Sequence, residues 1–252
     1  MFYNNAVCDI YIGKSAGKKL MEEIRCAKRD VKIVSPYLSP FLIKELIYLH
    51  SKGIDIHLIT TDEIEDFYRY EKNIHKLIIQ EKRTDQKAKE TRDSLISSAK
   101  TLLFTIIGLG FVLLSLMIFL KEIKLAFGFI VVVLLFLVRD FMIKRIKNMR
   151  IYRYSYRQLF PFKVFISPKS KNSYNKTFIH SKIYIIDNEI AYMGSLNFTG
   201  NGVRENHETR IRTTDPIVVK RISDEVNFLF HSNLAERDIQ YWGSQLYSES
   251  IN

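Results

Sequence analysis

A run of twenty residues without a charged side chain, Thr101 to Leu120, constrains the fold of this chain more than any other feature of its sequence. An α-helix of about 20 apolar residues is long enough to cross the roughly 30 Å hydrocarbon core of a bilayer. A second apolar run, Leu125 to Val138, ends at Arg139, whose long side chain can reach the headgroups. The two runs predict a transmembrane helical hairpin. The alternative is a pair of buried core helices.

The charges that flank the two runs predict the orientation of the hairpin. Lysine and arginine number six in residues 81–100 and seven in residues 139–157, against two in the link 121–124. Positive residues concentrate on the cytoplasmic side of a membrane. The segment Met1–Asn5 also lacks the basic and apolar regions of a signal peptide. We therefore expect a multi-pass protein of the inner (cytoplasmic) membrane, with both flanks in the cytoplasm.

Two crossings return the chain to the compartment in which it starts, so that sequence on both sides of the hairpin can build one domain. Before the hairpin, the β-branched stretches Val31–Pro36 and Ile54–Thr60 flank a helical stretch, Phe41–Ser51. This rhythm is typical of an α/β sheet with parallel crossovers. Further strands and a last helix are expected after the hairpin, at residues 162–166, 180–187, 190–194, 208–213 and 216–232.

These patterns predict how the chain is divided. The expected segments are the first half of an α/β domain at 1–67, a polar helical stalk or linker at 68–100, the hairpin at 101–138, a basic helical return segment at 139–158 and the second half of the domain at 159–252. A helix from Tyr68 to Lys100 would be about 50 Å long. It would lift the domain away from the bilayer, unless it lies flat on the headgroups.

The stretch HSKIYIID, from His180 to Asp187, is the strongest chemical signal. Side chains alternate between the two sides of a strand, so His180 and Lys182 share one side and Asp187 points to the other. A lysine can neutralise a non-bridging phosphate oxygen while a neutral imidazole attacks phosphorus. The pair therefore suits phosphodiester chemistry, although two polar residues near a strand end are more often ordinary edge residues.

Polar residues that follow this stretch strengthen the functional reading. Ser195 lies beside Gly194 in a small turn, and Asn197 adds a carboxamide close by. Farther on, Asn206 precedes Glu208, whose carboxylate can hold one nitrogen of an imidazole and so present the other.

The order of these residues resembles the phospholipase D superfamily. His180 to Asp187 matches its HxKxxxxD motif, Gly194-Ser195-Leu-Asn197 follows at the expected distance, and Asn206-His-Glu208 matches its trailing element. The resemblance covers the chain except residues 68–158. It implies a phospholipase D-like mixed sheet flanked by helices, interrupted here by the two-helix transmembrane hairpin. It also implies a metal-independent phosphodiesterase that needs no cofactor.

The resemblance assigns roles to single residues. His180 would be the nucleophile that forms a phosphohistidine, and Lys182 and Asn197 would bind the phosphate oxygens. Ser195 and Glu208 would be supporting residues, with Glu208 orienting the histidine.

Three further expectations concern the surroundings of this site. Asp187 belongs to the motif, but its strand parity predicts a structural role. Lys176, in a basic loop before the motif, is expected to contact an anionic substrate, or else to be solvated. The chain holds one HxKxxxxD motif, whereas some members of the superfamily pair two copies. We therefore expect a homodimer, in which His180 of a second chain protonates the leaving oxygen.

Two classes of phosphodiester are candidate substrates, nucleic acid and phospholipid. The formal charge of +11 favours polyanions, and both nucleic acid and anionic lipid qualify. A membrane-anchored nuclease with its catalytic domain facing the cytoplasm is the first hypothesis. A phospholipase D or phosphatidyltransferase that acts on membrane phospholipid is the second, and an inactive membrane scaffold is the third.

Overall fold

A computed structural model describes residues 5–61, 77–165, 179–232 and 238–252. The strands are β1 Asp9–Gly13, β2 Asp30–Val34, β3 Asp55–Thr61, β4 Ile78–Thr84, β5 Tyr152–Gln158, β6 Phe162–Phe165, β7 Ile183–Ile186, β8 Ile190–Gly194 and β9 Glu208–Thr213. The helices are α1 Lys18–Arg25, α2 Pro40–Ser51, α3 Gln86–Leu120, α4 Phe129–Asn148, α5 Gly200–Arg204, α6 Pro216–His231 and α7 Ile239–Leu246. The chain divides into two compact units, Met1–Gln80 with Tyr156–Tyr247 and Glu81–Ser155 with Ser248–Asn252.

The first unit contains a seven-stranded sheet in the order β1-β9-β8-β7-β2-β3-β6. The β2–β3 and β3–β6 pairs are parallel and the other neighbours are antiparallel, which confirms the expected mixed sheet of an α/β fold. Strand β1 is not part of a parallel pair: it lies at the sheet edge and pairs antiparallel with β9. There Asp9 of β1 forms an ion pair with Arg212 of β9, at 3.4 Å.

Helices cover both faces of this sheet. On one face, Val219 and Ile222 of α6 pack over Val34, Ile59 and other buried strand residues. On the other face, the hydroxyl of Tyr192 in β8 donates to Glu23 of α1. Helices α1 and α2 lie side by side, since Arg25 of α1 forms an ion pair with Glu45 of α2 at 2.8 Å. The site described below lies on this second face.

The second unit contains the two apolar helices. Both α3 and the stretch Ile123–Asn148, which joins a 3₁₀ turn to α4, are long and apolar enough to cross a membrane. Their apolar windows are only 6% buried, unlike the core helices of a soluble domain. They approach closely where Gly128 meets Leu113, because a Cβ at Gly128 would lie 2.8 Å from Leu113 Cδ2. By length and composition alone, both helices could cross a membrane.

Helices were predicted on both sides of the apolar runs, and at two places the structure has a strand instead. Residues 78–84 form β4 instead of part of a helical stalk, and α3 begins after Asp85, whose side chain accepts a hydrogen bond from the Ala88 amide at 3.1 Å. The return helix ends at Asn148, and β5 follows and pairs with β4. Alternating tyrosines in β5 favour a strand. Residues 68–76 of the predicted stalk lie outside the described residues.

Candidate active site

The His180–Lys182 pair lies at the end of β7, beside the ends of β2 and β8. The predicted strand begins later than expected, at Ile183, so the pair precedes it. Lys182 turns back, and its Nζ donates to the carbonyl oxygen of His180 at 2.7 Å. This hydrogen bond holds the two residues together just before the first residue of β7.

The imidazole and the ammonium are in direct contact. Lys182 Nζ lies 3.0 Å from His180 Nδ1 and 3.3 Å from Nε2. The imidazole is exposed, whereas only 7% of Lys182 is accessible to solvent. Burial lowers the pKa of the Lys182 ammonium, and the nearby Glu208 carboxylate partly offsets this by raising it. The imidazole therefore faces solvent beside a poorly hydrated positive charge, an arrangement that can receive an anion.

Glu208 begins β9 and is 7% exposed. One of its oxygens accepts a hydrogen bond from the Ser195 hydroxyl, and the other accepts one from Asn206 Nδ2 at 3.0 Å. Ser195 Oγ in turn accepts from the Thr209 amide at 3.0 Å. The carboxylate is thus held rigidly, and its charge helps Lys182 to remain an ammonium. The structure brings Lys182, Ser195 and Glu208 into one polar cluster.

Asn197 lies on the loop that follows β8. Its carbonyl accepts from the Thr199 amide at 2.7 Å, and its backbone lies so close to Gly202 that a Cβ there would be 2.5 Å from the Asn197 oxygen. The side-chain Oδ1 of Asn197 is buried and has no hydrogen-bond partner among the described residues. A buried carboxamide without a partner is costly. Rotating it by 180° would bring its NH₂ group to the same position, where it can donate to a ligand.

Asp187 lies at the opposite end of β7, in a left-handed backbone conformation with φ 55°. Its carboxylate accepts from the backbone amides of Lys28 at 2.9 Å, Arg29 at 2.6 Å and Asp30 at 3.1 Å. Burial opposes ionisation of this carboxyl, but the three amides outweigh it and hold its pKa below the usual value. A four-residue strand spans about 13 Å. Asp187 is therefore not brought together with His180.

Tyr184 was missed as a residue of the site, and Gly194 was placed in a turn without a reason for its being glycine. The Tyr184 hydroxyl, fully buried, donates to the Leu196 carbonyl at 2.7 Å and so ties β7 to the loop carrying Asn197. Burial raises the pKa of this phenol far above its usual value. Gly194 is needed because a Cβ there would lie 2.0 Å from the Thr209 carbonyl oxygen. The alternation of side chains along a strand could have identified Tyr184, because it places Tyr184 on the same side of the strand as Lys182.

Lys176 and its basic loop lie outside the described residues. No group of three or more His, Cys, Asp or Glu side chains in the described parts of the chain is placed to hold a metal ion.

The chain is similar in sequence to one family model and in structure to several solved proteins. Residues 120–230 match a family model described as cardiolipin synthase, PLD-like domain. No curated protein sequence matches the chain. NucT from Helicobacter pylori has a TM-score of 0.45 and 14% identity, over 91% of this chain and 98% of that one. Nuc from Salmonella typhimurium, described as a phospholipase D family member, has a TM-score of 0.45 and 13% identity, over 92% and 98%.

A phosphatidylserine synthase of Haemophilus influenzae gives a TM-score of 0.39 and 12% identity, over 91% of this chain and 40% of that one. The family-model match includes the whole His180–Asp187 motif together with Ser195, Asn197 and Glu208. This match and the spacing of the motif agree, and both support the phospholipase D superfamily.

Proposed function

We propose that this protein is a membrane-anchored phosphodiesterase that works through a phosphohistidine and hydrolyses nucleic acid. The observation that carries the proposal is the exposed His180 imidazole in contact with the buried Lys182 ammonium, at 3.0 Å. The Glu208 carboxylate beside them is fixed by Ser195 and Asn206. A nucleophile next to a cation for the phosphate oxygens is the arrangement that attack on a phosphodiester requires.

The proposed reaction has two steps. In the first, a neutral nitrogen of His180 attacks phosphorus, an N–P bond forms, and the P–O bond to the leaving alcohol breaks as that oxygen receives a proton. In the second, water attacks the phosphohistidine and gives a proton back to the group that protonated the leaving alcohol, the N–P bond breaks, and a phosphomonoester leaves. In both transition states Lys182 neutralises charge on the non-bridging oxygens, and the Asn197 carboxamide donates a hydrogen bond to them. Glu208 keeps the histidine oriented and the lysine charged. Neither step uses a metal ion.

We further propose that the proton for the leaving alcohol comes from His180 of a second copy of the chain. The chain holds one HxKxxxxD motif, and the same exposed histidine would serve as nucleophile in one subunit and as acid in the other. One composite site would then lie on the twofold axis of a homodimer. Sedimentation of the detergent-solubilised protein should give a dimer, and a fully active monomer would contradict this assignment.

The helices α3 and α4 supply the proposed anchor. Their exposed apolar surface supports a hairpin that crosses the bilayer, and the basic residues on both flanks support a cytoplasmic domain. The same helices favour the second candidate, an enzyme that acts on membrane phospholipid, because the anchor would keep lipid substrate near the domain. We place nucleic acid first because the chain carries a single copy of the motif and in this resembles the single-motif nucleases of the superfamily. The charge of +11 suits either anion.

The deciding experiment compares the purified protein with His180→Ala, each assayed with and without a chelator. The substrates are single-stranded DNA, RNA, phosphatidylcholine and cardiolipin. We expect cleavage of a nucleic acid by the wild type and none by the variant. Turnover of lipid without cleavage of nucleic acid would replace the first candidate with the second. Activity that survives in His180→Ala would remove the mechanism, and activity lost to the chelator would remove metal independence.

A further inference from the structure

A row of exposed aromatic and basic side chains runs along the outer surface of α2. Phe41, Lys44, Tyr48 and Lys52 follow one another at helical spacing, and Arg204 of α5 lies at the Phe41 end. We call these five residues the α2 stripe. From Phe41 to Lys52 it covers about 17 Å, at about 1.5 Å per residue. That is enough for a few nucleotides of an extended strand.

The two aromatic rings of the stripe are accessible and lie against cations. Phe41 is 42% exposed and Tyr48 is 54% exposed. The Arg204 guanidinium lies 5.4 Å from the centre of the Phe41 ring, and Lys52 Nζ lies 4.3 Å from the centre of the Tyr48 ring. A folded domain normally buries such rings. Here they stay in water with positive charge beside them, which suits a ligand that carries both flat rings and phosphates.

The stripe begins at the loop that carries Asn197. The Phe41 ring packs on Gly200, where a Cβ would lie 2.9 Å from its Cε1. Just before the helix, Ser39 Oγ accepts from the Gly200 amide at 3.0 Å. Asn197 is only three residues before Gly200, so a strand bound at the candidate site can continue directly onto Phe41.

The charge of the stripe is net positive. The one acidic residue of α2, Glu45, forms an ion pair with Arg25 at 2.8 Å, which offsets its charge. Lys44, Lys52 and Arg204 are all exposed. Three cations thus remain available to phosphates, interleaved with two rings. This is the pattern of surfaces that bind single strands by stacking bases and neutralising the backbone.

We infer that the α2 stripe binds the part of a single-stranded nucleic acid that flanks the scissile bond. Bases would stack on Phe41 and Tyr48, and phosphates would contact Lys44, Lys52 and Arg204. This inference rests on the proposed nuclease function and names the form of its substrate. Stacking on a ring is available only to unpaired bases, so single strands are bound and cleaved in preference to duplexes.

The test uses full-length protein in detergent, and binding is measured in the His180→Ala background, which cannot cleave. The probe is a fluorescent oligothymidylate, and its anisotropy gives the dissociation constant at several salt concentrations. We expect Phe41→Ala with Tyr48→Ala to weaken binding at least about tenfold. Lys44→Gln with Lys52→Gln should reduce the slope of log affinity against log salt by about 0.7 for each phosphate that is no longer neutralised.

Matched controls lie on α6. Phe228 is 66% exposed and the Lys220 side chain is 76% exposed, so Phe228→Ala and Lys220→Gln remove equivalent groups from the other face of the sheet. Both should leave oligonucleotide binding unchanged. In proteins with His180 intact, cleavage of the oligonucleotide is compared with that of bis(p-nitrophenyl) phosphate, which is too small to reach the stripe. The rate of oligonucleotide cleavage divided by the rate for the small substrate should fall at least about tenfold in the variant that carries Phe41→Ala and Tyr48→Ala.

The outcomes separate this inference from the function on which it rests. If the wild type cleaves single strands and the stripe variants bind and cleave them equally well, the inference is overturned while the nuclease function stands. If the wild type cleaves no nucleic acid and the stripe variants instead lose binding to vesicles of anionic phospholipid, the nuclease function fails. The stripe is then a membrane-facing surface, and the inference is overturned as well.

Discussion

The two ends of β7 carry the first and last residues of the same motif but have opposite surroundings. At one end His180 is exposed and Lys182 is buried, with its Nζ against the His180 ring at 3.0 Å. At the other end the Asp187 carboxylate accepts from three backbone amides. The first end keeps polar groups available to a ligand, whereas the second satisfies its charge within the fold. A single sequence motif thus combines an accessible histidine–lysine pair with a carboxylate whose role is structural.

This difference predicts that substitutions at the two ends affect different properties. At the His180 end, activity should be lost without loss of stability, because the side chains there are poised for a ligand. At the Asp187 end, stability should be lost with a smaller effect on activity. The four predictions below test this separation.

The largest effect is expected for His180→Ala. Removing the nucleophile should lower kcat for bis(p-nitrophenyl) phosphate by about 10⁴-fold or more. The imidazole is exposed, so the thermal midpoint in detergent should stay within about 2 °C of the wild type. Activity assays and thermal unfolding of the same preparation measure both. A large drop in the midpoint would mean that the histidine supports the fold.

Lys182→Met should lower kcat by about 10²–10³-fold, because the non-bridging oxygens lose their cation in a poorly hydrated site. Methionine has a similar length and carries no charge to bury, so the midpoint should not fall. The comparison with Lys182→Arg is informative, since arginine keeps the charge in a different shape. An unchanged kcat in Lys182→Met would exclude the lysine from the reaction.

Asp187→Asn should act mainly on stability. The neutral amide is a weaker acceptor for the amides of Lys28, Arg29 and Asp30, and the loss should be about 2–3 kcal/mol. For a chain of this size that lowers the midpoint by roughly 5–10 °C. At a temperature where both proteins are folded, kcat should stay within about threefold. A variant of normal stability and no activity would place Asp187 in the reaction instead.

The smallest effect is the pH dependence of that stability difference. The pKa of Asp187 is lowered in the folded state, so its contribution is present above the unfolded pKa, about 3.9, and is lost as pH falls through the folded value. The gap in thermal midpoint between wild type and Asp187→Asn should therefore be constant near neutrality and narrow below about pH 4. A gap that narrows between pH 6 and 8 would require another group.

Sequence patterns predicted the site better than the segments around it. The motif spacing included Lys182, Ser195 and Glu208, which the structure brings together beside His180, and parity separated Asp187 from them. Both predictions depend only on chain order and strand geometry. The strands β4 and β5 escaped prediction because the polar sequence of β4 lacks a buried face, and its pairing with β5 joins residues on either side of the hairpin.

Other features depend on contacts that no local pattern reveals. The α2 stripe depends on such a contact, because Arg204 lies over the Phe41 ring although it is more than 150 residues from α2 in the chain. The unpartnered Oδ1 of Asn197 likewise follows from burial, which depends on packing against Gly202 and the neighbouring loop.

The most direct test of the account is to trap the covalent intermediate. Wild-type protein is mixed with a phosphodiester labelled in its phosphoryl group and quenched in alkaline denaturant, in which phosphohistidine survives. Peptide mapping should then find the label on His180, and the label should be absent from His180→Ala. No label in the wild type under conditions of steady turnover, or label on another residue, would contradict the assignment of His180 as the nucleophile.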